Sequence, residues 1–310
     1  MSTEAAAGVD RPHLAVLIAK LRLIPDDVRQ FRHDADWAWR KFRLGPAALA
    51  DLVEQGLPVR GTDAARRFDS YDLFNCAMQL GLGPSTRAAR RYWPAALRRA
   101  DEGRRSRYEL RFQARCPSPG HAAGCRYVFA LPGGREHVES VRGPDAAQGA
   151  VVEVTPRIDW PQLPGSARAL LAQATRDVEF VVLREELKRD ISFIRTAGLA
   201  DCAGLTELVV QEATAREIPV RKSFGLIVVP PFAVKHFWAE LRTEDVWVPV
   251  DPVLVQAMTR WRVLDPADWD PYRSIGPIVT RIAAEEVPLA RHDDVSVPYT
   301  IPSRILPEPA

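Results

Sequence analysis

The chain has 310 residues, of which 46% are hydrophobic and 26% are charged, and its formal net charge at pH 7 is +2. These values are typical of a globular protein with two domains, or with one large domain and an appendage. The small net charge gives no reason to expect nucleic acid as a partner, and no run approaches the roughly 20 apolar residues of a membrane span.

The start of the chain has neither the basic first residues nor the apolar run of a signal peptide. We therefore expect a cytoplasmic protein with no membrane partner, whose four cysteines stay reduced. Residues 1–12 are small and polar, which predicts a disordered tail.

Residues 1–105 are predicted to form an all-helical N-terminal domain. Apolar residues recur at helical spacing from Leu14 to Ile24, and Gly45-Pro46 marks a break between helices. Near its end this domain carries a cluster of arginines, which is either a solvated helix face or a landing site for an acidic carrier protein. We expect Arg90 and Arg91 to make that contact. The cluster consists of Arg87, Arg90, Arg91, Arg98, Arg99, Arg104, Arg105 and Arg107.

Residues 106–150 are predicted to form a β-hairpin region followed by a linker at 143–149. The alternation of apolar and polar residues over 108–115 and the apolar run over 126–131 predict two strands, which we expect to pair across the loop between them.

The predicted loop holds candidate metal ligands. Cys116, His121 and Cys125 lie in it, and His137 follows further on. Four such side chains make a closed zinc site in principle, but their spacing matches no short zinc motif. We therefore favour paired cysteines at a hairpin tip and expect no cofactor.

Residues 151–310 are predicted to hold the reactive part of the chain. Residues 167–196 are predicted to form one or two long helices, and Asp201 is a predicted cap for a helix that begins at Cys202. A free thiol has a pKa of about 8.5, so a nucleophilic cysteine needs a group that favours its anion, and a helix N-terminus is one.

A base and an orienting carboxylate follow the cysteine in order. His236 lies in a predicted strand over 234–241, and Asp251 ends the next apolar run, before Pro252. An imidazole can take the proton of a thiol, and a carboxylate can fix the imidazole tautomer. The remaining residues, 253–310, are predicted to be a wrapping tail with little regular structure.

These motifs resemble those of the transglutaminase-like superfamily of cysteine enzymes, over roughly residues 190–255. The resemblance implies an α+β, papain- or transglutaminase-like core, in which a helix bearing the cysteine packs on an antiparallel sheet bearing the histidine and the aspartate. It implies that Cys202 is the nucleophile, His236 the general base and then acid, and Asp251 the orienting residue. The matching segments are Gly198–Cys202, Arg216–Arg221 with Gly225, His236–Glu240 and Trp247–Pro252.

The predicted triad forms an acyl-enzyme and passes the acyl group to an amine or to water. The leading hypothesis is amide formation from an activated, carrier-bound thioester donor and an amine acceptor, as in some members of that superfamily that act in natural-product biosynthesis. We expect Phe237 and Trp238 to line a dry acyl channel and Asp201 to influence substrate choice. The alternatives are a cytoplasmic peptidase or amidohydrolase with the same triad, and a non-catalytic binding module.

Overall fold

The computed structural model describes residues 11–118, 124–141 and 149–307 and has the predicted mixed α+β class. The predicted tail and linker lie almost entirely outside these residues. Within them, no helix combines the length and the apolar character needed to cross a membrane.

The described residues form ten α-helices and fifteen β-strands. The helices are α1 (Arg11–Leu21), α2 (Ala35–Phe42), α3 (Pro46–Glu54), α4 (Ser70–Gln79), α5 (Pro84–Asp101), α6 (Gly165–Thr175), α7 (Glu185–Lys188), α8 (Ile191–Ala197), α9 (Cys202–Thr214) and α10 (Pro252–Arg260). The strands are β1 (Arg107–Arg111), β2 (Gln113–Ala114), β3 (Cys125–Leu131), β4 (Arg135–Val141), β5 (Val151–Val154), β6 (Glu179–Phe180), β7 (Leu199–Ala200), β8 (Val220–Ile227), β9 (Val234–Thr243), β10 (Val246–Val250), β11 (Val279–Ala283), β12 (Ala290–His292), β13 (Val295–Ser296), β14 (Tyr299–Thr300) and β15 (Ser303–Leu306).

These elements belong to two compact units, each assembled from three separate segments of the chain. The predicted domain boundaries at residues 105 and 150 stay a prediction. The helical unit comprises Met1–Arg91, Arg168–Glu212 and Asp251–Tyr272, and the sheet unit comprises Tyr92–Ala167, Ala213–Val250 and Arg273–Ala310.

The core of the helical unit joins the first helices to the segment that precedes the predicted nucleophile. Leu14, Ile18 and Leu73 are buried in one apolar cluster with Val181 and Leu199. Helical spacing puts these side chains on the inner faces of α1 and α4, so their burial supplies the main driving force for this packing.

Buried polar side chains fix the helices of this unit in position. The guanidinium of Arg29 donates to the Asp72 carboxylate at 2.9 Å and to the carbonyl oxygens of Leu21 and Ile24 at 2.5 and 2.6 Å. Asp69 caps α4 through Tyr71 N at 2.8 Å. Because a buried charge is costly unless it is paired, these bonds favour one arrangement of the helices.

The sheet unit contains several antiparallel sheets. The strand order is β10-β9-β8-β11 in one four-stranded sheet, β13-β12-β3-β4 in the other, and β15-β1-β5 in a three-stranded sheet. The pair β14-β2 completes the set, whereas the parallel pair β6-β7 lies in the helical unit. The strands predicted at 234–241 and 246–250 correspond to β9 and β10, which neighbour each other in the first sheet.

The predicted pairing of 108–115 with 126–131 is wrong. The strand β1 pairs with β5 and β15, whereas β3 pairs with β4 and β12. A tight turn accounts for the difference, because Gly133 and Gly134 have φ angles of 78° and 72° and connect β3 directly to β4. Glycine adopts this left-handed conformation without steric cost.

Two other segments differ from their predictions. Residues 167–196 form three helices and a short strand, because Asp190 accepts a bond from Phe193 N at 3.0 Å and starts a new helix, α8. Residues 253–310 hold most of α10 and five strands, so this part of the chain has more regular structure than predicted. Four of its strands, β11, β12, β14 and β15, pair with partners far away in the sequence, which local pattern does not indicate.

Candidate active site

Cys202 is the first residue of α9, as predicted. Asp201 caps this helix, since its Oδ1 accepts from Gly204 N at 2.9 Å and its carbonyl oxygen accepts from Leu205 N at 2.9 Å. The other three cysteines of the chain are buried, whereas Cys202 is half-buried. The thiol therefore lies at a helix N-terminus, where backbone N–H groups and the helix dipole favour negative charge.

The segment before Cys202 is held on both sides. Gly198 ends α8 in the left-handed conformation with φ of 62°, and β7, which pairs in parallel with β6, then leads the chain into α9. A Cβ atom at Gly204 would overlap the carbonyl oxygen of Lys188 and the side chain of Ile194. The first turn of α9 thus packs closely on α7 and α8, which limits the movement of the thiol.

The carboxyl group beside Cys202 is buried. Burial raises the pKa of Asp201 to about 6, although the hydrogen bond from Gly204 and the charge of Lys188 act in the opposite direction. The Asp201 carboxyl of the folded protein therefore changes from neutral to charged as the pH rises through about 6.

His236 lies within β9 and faces Gly225 of β8. The imidazole is 4% exposed, and its ring lies roughly parallel to that of Trp238 at a centroid distance of 6.4 Å. Trp238 donates from Nε1 to Glu240 Oε1 at 3.1 Å, and Arg221 Nε donates to Glu240 Oε2 at 2.6 Å. His236, Trp238 and Glu240 therefore follow the period of two along one face of the strand.

Phe237 lies on the opposite face of β9. Its ring packs on that of Phe224 at a centroid distance of 5.0 Å, and both side chains are buried. This placement makes Phe237 part of the core of the sheet unit, and its role in an acyl channel stays a prediction.

Asp251 follows β10 directly and caps α10. Its Oδ1 accepts from Leu254 N at 2.9 Å, and the residue is 1% exposed. The register pairs Ala239 with Val250, so β10 ends beside the part of β9 that carries His236. The proposed nucleophile Cys202 thus begins a helix, His236 lies within a strand, and Asp251 lies between a strand and a helix. That the three side chains act together stays a prediction.

The two arginines predicted to contact a carrier have different surroundings. Arg90 donates to the carbonyl oxygens of Met78 and Gln79, each at 2.7 Å, and lies over the ring of Trp261 at 5.0 Å. Burial lowers the pKa of this guanidinium to about 10. Arg91 is exposed on α5. Arg90 therefore binds the C-terminal carbonyls of α4, while Arg91 faces solvent.

The candidate metal ligands are brought together only in part. Cys116 and Cys125 lie close together, and the third member of their cluster is His292, which the sequence analysis missed. His137 pairs with Phe129 further along β3 and is not in the cluster, and His121 lies outside the described residues. No local motif marks His292, because the pairing of β12 with β3 brings it there.

Comparison with known proteins gives little support for any family. No family model matches the chain, and no curated protein matches it. Among solved structures, one similar chain is a "putative cysteine protease" from Cytophaga hutchinsonii, with 11% identity and a TM-score of 0.39 over 66% of this chain and 92% of that chain. A TM-score of this size establishes neither the family nor the fold.

Proposed function

We propose that the protein is a cysteine-dependent acyltransferase, in which Cys202 is the nucleophile, His236 the general base and then acid, and Asp251 the group that orients the imidazole. The observation that carries this proposal is the position of Cys202. Of the four cysteines, Cys202 is half-buried and the other three are buried. It starts a 13-residue helix whose N-terminus is capped by Asp201.

The reaction has two steps with defined proton transfers. The Cys202 sulfur attacks the carbonyl of a thioester or amide while His236 takes the thiol proton, and the N–H groups at the start of α9 stabilise the oxyanion. The leaving thiol or amine takes that proton as its bond to the carbonyl carbon breaks. An acceptor then attacks the carbonyl carbon of the acyl-enzyme and gives its proton to His236. The bond between that carbon and the Cys202 sulfur breaks, and His236 returns the proton to the thiol.

An amine is the proposed acceptor, and burial around His236 supports this choice. His236 is 4% exposed and Trp238 is 1% exposed, so bulk water has little access to the proposed base. A base shielded in this way favours transfer to a bound amine over hydrolysis of the intermediate. An activated acyl group, such as a carrier-bound thioester, is the proposed donor.

Intact-mass spectrometry of the full chain tests the proposal. After incubation with acyl thioesters of different chain lengths, we expect a single acyl adduct on the wild-type protein and none on Cys202→Ala. The matched control is Cys76→Ala, which removes a fully buried thiol and should leave the adduct unchanged. An adduct that persists in Cys202→Ala, or no adduct from any thioester or amide, would contradict the proposal.

The acceptor is identified by adding amines to the preformed adduct. We expect the adduct to disappear faster with an amine than in buffer, with the amide as the product. Release of the free acid at the same rate with and without amines would identify a hydrolase with the same nucleophile. In His236→Asn, adduct formation should fall by about 100-fold or more, because general-base catalysis contributes roughly 10²–10⁴-fold.

A further inference from the structure

Two thiols and an imidazole form a buried cluster within the sheet unit. The sulfur atoms of Cys116 and Cys125 and a ring nitrogen of His292 lie within 4.8 Å of one another, and all three residues are buried. Cys116 follows β2, Cys125 starts β3 and His292 ends β12, so the cluster joins three separate segments. Neither thiol is in a disulfide.

The dimensions of this cluster suit a zinc ion. Zinc binds thiolate at about 2.3 Å and imidazole at about 2.0–2.1 Å in a tetrahedral shell, which places the donor atoms about 3.6–3.8 Å apart. The observed upper limit of 4.8 Å is about 1 Å wider, a difference that side-chain rotation can close. Two sulfur donors also favour zinc over magnesium or calcium, which prefer oxygen.

Neighbouring groups are arranged as they are around metal-binding side chains. Asp293 Oδ2 lies 3.2 Å from His292 Nδ1, which orients the ring and assigns Nε2 to the metal. The backbone N–H of Ser118 donates to Cys116 Sγ at 3.4 Å, a bond that fixes the position of the sulfur.

A half-buried glutamate on the same sheet provides an independent observation. Glu139 faces Tyr127 across the β3–β4 pair, on the face of β3 that also carries Cys125. Its Oε2 is buried and has no hydrogen-bond partner among the residues that the structure describes. Because a buried polar oxygen without a partner is costly, a positive ion near this face of the sheet would be stabilising.

We propose that Cys116, Cys125 and His292 bind one zinc ion, which links the segment after β2 to β3 and β12. The two thiols lose their protons to solvent on binding, and Asp293 acts as a positioning residue. The site lies within the sheet unit, and the proposal does not depend on the proposed acyl transfer. The test measures metal binding rather than activity.

Metal content of the untagged full chain is the first measurement. After dialysis against metal-free buffer with a reductant, we expect inductively coupled plasma mass spectrometry to find one zinc ion per chain. Substitution by cobalt should produce a thiolate-to-cobalt charge-transfer band. A wild-type protein that holds no zinc and gives no such band on adding cobalt would overturn the proposal, as would a Cys116–Cys125 disulfide formed in place of metal binding.

Variants then assign the ligands. Cys116→Ser, Cys125→Ser and His292→Gln should each weaken cobalt binding by more than 100-fold, and Asp293→Asn should weaken it by about 10-fold. The matched controls are His137→Gln and Cys76→Ala, which should bind as the wild type does. Unchanged binding in the cysteine variants would overturn the assignment, and circular dichroism checks that each variant is folded.

Discussion

Gly225 and His236 lie directly opposite each other on β8 and β9, and the ring of Trp238 covers the glycine. A Cβ atom at position 225 would lie 2.9 Å from Trp238 Cη2 and would also overlap the carbonyl oxygen of Thr280. The absence of a side chain at Gly225 therefore leaves room for the backbone of β11 and for the ring of Trp238, which lies on the same face of β9 as His236.

Gly225→Ala should destabilise the protein by about 1–3 kcal/mol, because an added methyl group in a filled space forces its neighbours to move. It should also slow acyl-adduct formation by displacing Trp238. Urea denaturation and the adduct rate measure the two effects. Gly165→Ala is the control, since a Cβ there meets no atom within 4 Å. Equal stability of Gly225→Ala and wild type would show that this packing is not restrictive.

Asp201→Asn should change the pH dependence of stability. The pKa of Asp201 is raised from 3.8 to about 6 in the folded protein, so between pH 4 and 6 the folded state keeps a proton that the unfolded state has lost. The contribution of this carboxyl to the free energy of unfolding is largest below about pH 4. It is lost as the pH rises through 6, and the free energy of unfolding falls by up to about 3 kcal/mol. Asparagine keeps the cap but cannot titrate.

The measurement is the free energy of unfolding of wild type and Asp201→Asn at pH 4 and at pH 7. We expect the wild type to lose more stability than the variant over this interval. Asp72 contributes a change of the same sign, since its pKa is also raised to about 6, and it is present in both proteins. Parallel curves for the two proteins would rule out the raised pKa of Asp201.

Asn75→Ala should destabilise the helical unit by about 1–3 kcal/mol. Asn75 Nδ2 donates to Val182 O at 3.0 Å and its Oδ1 accepts from Val182 N at 2.8 Å, a pair of bonds between residues 107 positions apart. Truncation leaves both backbone groups of Val182 without this partner. Gln211→Ala is the control because that amide is exposed, and denaturant titration should find it close to wild type. A similar midpoint for both variants would contradict the assigned role.

The two neighbouring arginines should respond differently to substitution. Arg90→Ala should cost about 1.5–3 kcal/mol, since its bonds to Met78 and Gln79 are made by a charged donor. Arg91→Glu should cost less stability than Arg90→Ala, because Arg91 is exposed. If α5 binds an acidic carrier, Arg91→Glu should raise the carrier KM at low salt. An unchanged KM with a thioester-loaded acidic carrier would remove that partner from the proposal.

Local pattern was sufficient to predict the elements that carry the proposed triad. The helix at Cys202 follows from a cap and an apolar repeat, and β9 and β10 follow from short apolar runs with clear ends. Strand pairing could not be predicted in this way, because the partners of β1 lie at Val151–Val154 and Ser303–Leu306. The sequence contains no local signal for contacts between such distant segments.

The same limit applies to individual side chains. Arg90 differs from the exposed arginines of α5 because the end of α4 and the ring of Trp261 lie beside it, and Trp261 is far from it in the sequence. His292 joins Cys125 through the pairing of β12 with β3. Residue type and a shared predicted loop identified the cysteines as candidates, but the third member of the cluster depends on tertiary structure.

The pairing of β1 with β15 has a consequence for synthesis on the ribosome. Arg107–Arg111 leave the exit tunnel long before Ser303–Leu306, so β1 lacks one neighbour while the residues between these two strands are being translated. An unpaired strand edge can associate with other nascent chains. The sheet unit therefore completes this sheet only after β15 has emerged, and until then chaperones that cover exposed strands can act on β1.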